Sequence, residues 1–154
     1  VKEHPQQFMT HMLGQTSRIK EFYTDLTSSP RVKLMPLSID SYSLMTNAKA
    51  IATITGTIGW EAIMHQKPVI LFGMIWYEKF NGVLRITDEK SAKNIKSFME
   101  SYKFDEHDIL AYLCAFSDNS IKAYHYKGRK EKVEISEDAC ITNLITEVCK
   151  FKVH

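Results

Sequence analysis

The sequence predicts an α/β fold in which a parallel β-sheet is flanked by helices. Two patterns predict it: short apolar, β-branched runs alternate with segments of helical periodicity, and the connections between them are short. Such alternation favours right-handed β-α-β units around a parallel sheet. The length of 154 residues falls in the range of ~100–200 that is usual for one domain, so residues 1–154 are predicted to form a single domain.

The predicted strands are short runs that are apolar on both faces or nearly so. This pattern suits parallel strands that are covered on both sides. The runs are bounded by Pro36, Gly56, Pro68 and Gly73, which are typical of strand ends. The predicted strands are residues 32–35, 50–54, 69–72 and 83–86, and residues 1–2 are interpreted as the tail of a fifth strand.

The predicted helices carry apolar residues three and four positions apart, which places them on one face. Residues that favour helix N-caps precede three of these helices: Asp40 or Ser41 for the second, Asp88 for the fourth and Ser136 for the last. The predicted helices are residues 17–26, 41–48, 57–65, 88–102, 105–116 and 136–150, the last in a C-terminal helical segment spanning 136–154.

Composition excludes several classes of protein. Lys and Arg number 20 against 18 Asp and Glu, a net charge of +2, which is too balanced for a nucleic-acid-binding protein. No apolar run approaches the ~20 residues that cross a bilayer. The three cysteines have no CxxC spacing, and no clustered ligand set appears, so we expect a reducing, cytoplasmic location and no metal site.

The first candidate site motif is the segment Lys2-Glu3-His4-Pro5 at a predicted strand end. Ligands of open parallel sheets bind outside the carboxyl ends of the strands. A histidine there can donate a hydrogen bond to a phosphate or a base, and Pro5 would fix the turn that aims it. The alternative is a strand cap with an exposed histidine.

The second motif is the turn from a strand into a helix at Thr55-Gly56-Thr57. Unpaired N–H groups at a helix start favour anions, and a glycine lets a ligand approach the backbone. The alternative is that Thr55 or Thr57 only caps the helix. Glu61, in the first turn, either stabilises the helix or contacts a ribose hydroxyl.

The third motif is an aromatic loop, residues 73–82, that follows a buried strand and contains Trp76 and Tyr77. Aromatic loops at strand ends commonly form ligand walls. The alternatives are a lid packed on its own domain and a face that meets a further domain.

The first two motifs and the strand segment that follows them resemble, in this order, the capsule polysaccharide biosynthesis family, which includes 3-deoxy-manno-octulosonate (Kdo) transferases of bacterial capsule assembly. A strand ending Lys-x-His-Pro is followed about fifty residues later by Thr-Gly-Thr-x-Gly-Trp-Glu-Ala and then by Gln66-Lys67-Pro68-Val69-Ile70. The resemblance covers roughly residues 1–81. It departs from the family at Gln66, where glycine is usual and would suit the helix C-cap better.

The resemblance implies a bacterial glycosyltransferase of the GT-B fold, with this chain as its Rossmann-like, donor-binding C-terminal half. It implies that His4 is catalytic, that His4 and Pro5 meet the donor nucleotide, and that Thr55, Gly56 and Thr57 meet its phosphate. By the same resemblance Glu61 touches the ribose or supports the loop.

On the sugar side, the resemblance assigns Trp76 and Tyr77 to the donor sugar. The implied donor is a nucleotide sugar, with a CMP-linked sugar as one form, and no metal or other cofactor is expected. The acceptor, a glycan or glycolipid, and the general base belong to an N-terminal half. The whole enzyme is then expected in the cytoplasm, either free or peripheral at the inner face of the membrane, and this chain alone is expected to be inactive.

Two other functions stay open at the level of sequence. One is a fragment of a GT-B-like nucleotide-sugar 2-epimerase, although the Ser-Gly-Gly turn usual in those enzymes is not seen here. The other is a non-catalytic scaffold or regulatory domain that keeps the fold without the site.

Overall fold

The computed structural model of the chain describes residues 1–4, 18–124 and 134–151. The chain divides into two compact units, residues 1–104 and 105–154, and each is described by itself. That residues 1–154 form one domain stays a prediction.

A three-stranded parallel sheet forms the centre of the first unit. Its strands are β1 (Ile51–Thr53), β2 (Val69–Leu71) and β3 (Val83–Arg85), in the order β1-β2-β3. Ile51 pairs with Val69, and Val69 pairs in turn with Val83. All of β2 is buried, as its continuous apolar sequence predicts for a central parallel strand. Three of the predicted strands, those at residues 50–54, 69–72 and 83–86, are therefore confirmed, each one or two residues shorter than expected.

The predicted strand at residues 32–35 does not join this sheet in the described part of the chain. Instead, the Met35 N–H donates to the Val1 carbonyl at 2.8 Å, and the Val1 amino group donates to the Lys33 carbonyl. This is the bonding pattern of a parallel pair, but it extends over a single residue. Pro36 follows directly and cannot donate a further bond.

The first unit also contains five helices in its described residues. Asp40 caps α2 by accepting from the Ser43 N–H at 2.7 Å, which confirms one of the two caps predicted there. The helices are α1 (Lys20–Leu26), α2 (Ser41–Asn47), α3 (Ile58–Met64), α4 (Glu89–Ala92) and α5 (Ile95–Ser101).

The single helix predicted at residues 88–102 was wrong, because two helices occupy this range. Asp88 and Ser91 form a reciprocal capping box that starts α4. The Asn94 N–H then bonds back only three residues, to Ser91, and Asn94 becomes the N-cap residue of α5. The Asn94 side chain makes no capping hydrogen bond, so this short backbone bond marks the break.

The core of the first unit lies where α3 packs against β1 and β2. Its members are apolar side chains with less than a tenth of their surface exposed, joined by one tyrosine. They are Met45, Ala62, Ile63, Val69, Ile70, Leu71, Tyr77 and Phe80.

Helix α3 ends in a Schellman motif with glutamine at the position that usually holds glycine. The Lys67 N–H donates to the Ala62 carbonyl and the Gln66 N–H to the Ile63 carbonyl, both at 2.9 Å. Gln66 has a φ of 62°, in the left-handed region that disfavours a side chain. The less favourable C-cap predicted from the sequence is therefore confirmed.

The second unit contains α6 (Glu106–Asp118) and α7 (Glu137–Phe151) in its described residues. Ile109 and Cys140 are buried, and the Cys140 thiol accepts from the Tyr124 N–H at 3.3 Å. Most of the apolar residues that predicted these helices are more than a third exposed. They are Leu110, Leu113 and Phe116 on α6, and Ile141, Leu144, Ile145 and Val148 on α7.

Candidate functional site

A cavity of about 500 Å³ lies beside β1 and past its carboxyl end, in the first unit. It brings together the N-terminal segment, α2, β1 and the turn that leads into α3. Its lining residues are Lys2, Glu3, His4, Ser41, Leu44, Met45, Ile51, Ala52, Thr53, Gly56 and Ile58. His4 and Gly56, which the sequence placed in two separate motifs, thus line the same cavity.

The N-terminal segment contributes the charged groups of the cavity. Lys2 and His4 supply a cationic and a titratable side chain. Glu3 forms an ion pair with Arg18, with 3.2 Å between its Oε1 and the arginine Nε. The Val1 backbone bonds and this ion pair hold the residues immediately before His4 in place.

The turn after β1 is held by a threonine that the sequence analysis did not single out. The Gly56 N–H donates to Thr53 Oγ1 at 3.1 Å. A Cβ atom at position 56 would stand 2.8 Å from that same oxygen, so only glycine fits without displacing Thr53. Thr53 therefore both lines the cavity and shapes its corner.

Tyr77 approaches this corner from the core. It has no accessible surface, and its hydroxyl donates to the Gly56 carbonyl. Burial raises the pKa of the Tyr77 phenol, so the hydroxyl keeps its proton and remains a donor. That Tyr77 lies on the sugar side stays a prediction. In the structure its ring is buried, and its hydroxyl reaches the cavity corner through the Gly56 carbonyl.

The two threonines that flank Gly56 are not among the residues that line the cavity. Thr55 is exposed, and its Cγ2 lies near Gly73 in the loop after β2. Thr57 is the N-cap residue of α3, but its side chain makes no capping hydrogen bond. Glu61 is exposed in the first turn of α3, where a carboxylate is favoured by the helix dipole.

Trp76 is the accessible member of the aromatic loop. Its side chain is 39% exposed, and its ring lies 4.6 Å from that of Trp60 between centroids. Phe80, by contrast, is buried. Trp76 is therefore the residue of this loop that offers an aromatic face to a ligand.

Pro5, the remaining predicted site residue, lies outside the described residues. Ser41 and Leu44 on α2 are cavity residues that the sequence analysis missed. Their only sequence signal is their place at the start of a capped helix, which does not reveal what the helix faces. Within residues 1–4, 18–124 and 134–151, no group of three or more metal-ligating side chains is assembled.

The fold and the cavity define a parallel α/β protein with a pocket at the carboxyl end of a strand, the position where open sheets bind ligands. Its lining is largely apolar, with a few polar and charged groups from the N-terminal segment and the turn after β1. Sequence comparison gives the family. The profile of the family described as capsule polysaccharide biosynthesis protein matches residues 1–113. The chain belongs to this family, and the family resemblance drawn from its motifs is confirmed.

Two curated relatives come from Neisseria meningitidis, and both are called capsule polysaccharide modification protein LipA. The protein from serogroup A, serotype 4A, is 26% identical over 115 residues, which cover 75% of this chain and 15% of the relative. The protein from serogroup B is 31% identical over 77 residues, 50% of this chain and 10% of the relative. The chain thus matches only a small part of each relative's length. No solved structure matches the chain significantly.

The family assigns the chain a role in capsule polysaccharide biosynthesis. Among the helices of the described residues, none combines the length and apolarity that crossing a bilayer requires.

Proposed function

We propose that this chain is the donor-binding domain of a bacterial glycosyltransferase of capsule biosynthesis, the C-terminal half of a GT-B protein. The observation that carries the proposal is that His4 and Gly56 line one cavity. Its volume of about 500 Å³ is within the range of about 300–1,000 Å³ that is typical of small-molecule sites.

The charges of the cavity suit a phosphate ester. Lys2 and His4 contribute positive or proton-donating groups to the lining, and the Gly56 backbone forms one corner of the same cavity. Glycosyl transfer from a nucleotide sugar needs stabilisation of the negative charge on the departing phosphate. Donors fixed in advance around that charge supply it without metal or a covalent intermediate. His4 is assigned this role.

The remaining residues take graded roles in the proposal. Thr53 shapes the Gly56 corner of the cavity. Thr55 and Thr57, which do not line the cavity, would contact the phosphate from the cavity rim. Glu61 contacts the ribose or supports the turn. Trp76 offers its exposed ring to the sugar, since aromatic faces pack well against the apolar face of a pyranose, and Pro5 fixes the turn behind His4.

The proposal extends to the whole protein. The donor is a nucleotide sugar, CMP-linked in our preferred form, and no further cofactor takes part. A glycan or glycolipid acceptor and the general base belong to an N-terminal half. The enzyme acts in the cytoplasm, peripherally at the inner face of the membrane, and the 154-residue chain alone binds nucleotide without transfer.

The test is calorimetric titration of the chain with CMP, UDP and GDP, paired with thermal unfolding. A nucleotide that binds the folded state raises the melting temperature by mass action. We expect CMP to give the largest rise and His4→Gln to abolish it. His65→Gln is the matched control, because His65 is an exposed histidine that does not line the cavity and packs edge-on against Tyr42.

Two results would contradict the proposal. Absence of binding by all three nucleotides would favour a scaffold role for the domain. Equal loss of binding in His4→Gln and His65→Gln would mean that the nucleotide does not occupy this cavity.

A further inference from the structure

The Gly56 corner is bound on both sides by side chains from different elements. Its N–H donates to Thr53 at the end of β1, and its carbonyl accepts from the Tyr77 hydroxyl in the loop between β2 and β3. The carbonyl also accepts from the Gly59 N–H at 3.1 Å, in the first turn of α3. Both polar groups of the Gly56 backbone therefore have fixed partners.

Glycine has more backbone freedom than any other residue, so a site built on Gly56 requires external restraint. Thr53 restrains the corner from the strand, but Thr53 is itself part of the cavity wall. Tyr77 restrains it from the core, where water does not compete for the hydrogen bond.

We infer that Tyr77 is a positioning residue, whose buried hydroxyl fixes the Gly56 corner and so sets the shape of the ligand cavity. The identity of the ligand in this inference rests on the proposed function. The effect of the Tyr77 hydroxyl on the Gly56 corner does not. Holding the wall of a cavity in one shape before the ligand arrives lowers the entropy lost on binding.

The surroundings of Tyr77 make the inference testable with one atom. The Tyr77 ring packs edge-on against the Trp76 ring, with 5.4 Å between centroids, and its centroid lies 6.3 Å from that of the Trp60 ring. Packing therefore holds the ring without help from the hydroxyl. In Tyr77→Phe the ring keeps its place. The Gly56 carbonyl keeps the Gly59 N–H as a partner, so no buried acceptor is left unpaired.

The experiment measures amide hydrogen exchange and nucleotide affinity in the wild-type chain and in Tyr77→Phe. We expect exchange at Gly56 and Gly59 to accelerate by about three- to tenfold more than exchange at the β2 amides, which report global opening. We expect the Kd for CMP to rise by a similar factor. Tyr42→Phe is the matched control, because Tyr42 is exposed and does not line the cavity.

The outcomes separate the inference from the proposed function. Tyr77→Phe could lower the melting temperature while exchange at Gly56 and Gly59 changes no more than at the β2 amides and the Kd for CMP is unchanged. In that case the hydroxyl is only structural, and the inference is overturned. If the wild-type chain binds no nucleotide, the proposed function fails, and faster local exchange at the corner still supports positioning while uniform exchange overturns it.

Discussion

Gly59 lies directly beneath the phenol of Tyr77: a methyl group at position 59 would overlap the hydroxyl oxygen and stand 2.9 Å from Cζ. The start of α3 and the loop after β2 are therefore fitted to one another through a glycine and a tyrosine. Gly59 is buried and has no positive φ, so it is required for space and not for backbone conformation.

Gly59→Ala is accordingly expected to destabilise the chain, although alanine is the better helix former by about 1 kcal/mol. Overpacking a filled core costs about 1–3 kcal/mol, which exceeds that gain. Urea unfolding measures the change. In the Tyr77→Phe background the penalty should shrink but not vanish, because the ring carbon remains in contact distance. A net gain in stability from Gly59→Ala alone would contradict the close fit.

Thr53→Val is expected to lower the free energy of unfolding by about 1 kcal/mol, because it removes the acceptor of the Gly56 N–H. Thr55→Val is the matched control two residues away. Thr55 is exposed and touches Gly73 through a methyl group that valine retains, so its change should stay within about 0.5 kcal/mol. Equal losses in both variants, measured by denaturant unfolding, would remove the special role of Thr53.

Gln66→Gly is expected to stabilise the chain by up to about 1 kcal/mol. A left-handed backbone costs a side chain about 1–2 kcal/mol, and the greater freedom of glycine in the unfolded chain offsets part of the gain. Gln66→Ala serves as the control, since alanine meets the same steric penalty and should give no gain. Thermal unfolding compares the three chains, and a stabilising alanine would show that φ is not the cause.

Acid should destabilise the first unit through its helix caps. Hydrogen bonds from the Ser43 backbone and side chain hold the pKa of Asp40 below its usual 3.8, and Ser91 does the same for Asp88. The unfolded chain therefore takes up these protons first as the pH falls. The stability that both caps contribute is present above about pH 3.8 and is lost as the pH falls through their lower folded values.

Asp40→Asn and Asp88→Asn test this pH dependence. Asparagine still caps a helix but does not titrate, so the double variant should unfold with a flatter dependence on pH below about 4. Denaturant unfolding between pH 2.5 and 5 measures the slope. An unchanged slope would assign acid sensitivity to other carboxylates.

The three strands of the sheet were predictable because their signals are local, whereas the pairing of residues 32–35 with the N-terminal segment stops at one residue before Pro36. Val69–Leu71 reads as a buried strand from its apolar sequence between Pro68 and Gly73, and the structure has it so. The break at Asn94 was missed, because helical periodicity continues through it. What interrupts the helix is the Asn94 N–H, which bonds only three residues back to the Ser91 carbonyl, after α4 has ended at Ala92.

The candidate site was predictable only in part, since a cavity depends on which elements meet. His4 and Gly56 carried sequence motifs, and both line the cavity. Ser41 enters it because α2 happens to lie beside β1, a relationship that no local pattern encodes. The burial of Tyr77 was equally invisible, because an aromatic residue in a loop has the same sequence whether it faces a ligand or the core.

The sheet has a consequence for the order of assembly. Its paired strands begin only 18 and 14 positions apart in the chain, and residues 51–85 contain all three strands together with α3 and Tyr77. Closing such short loops costs little entropy and favours rapid formation. This continuous segment should therefore form early, and the amino-terminal residues that complete the cavity should join it late in folding.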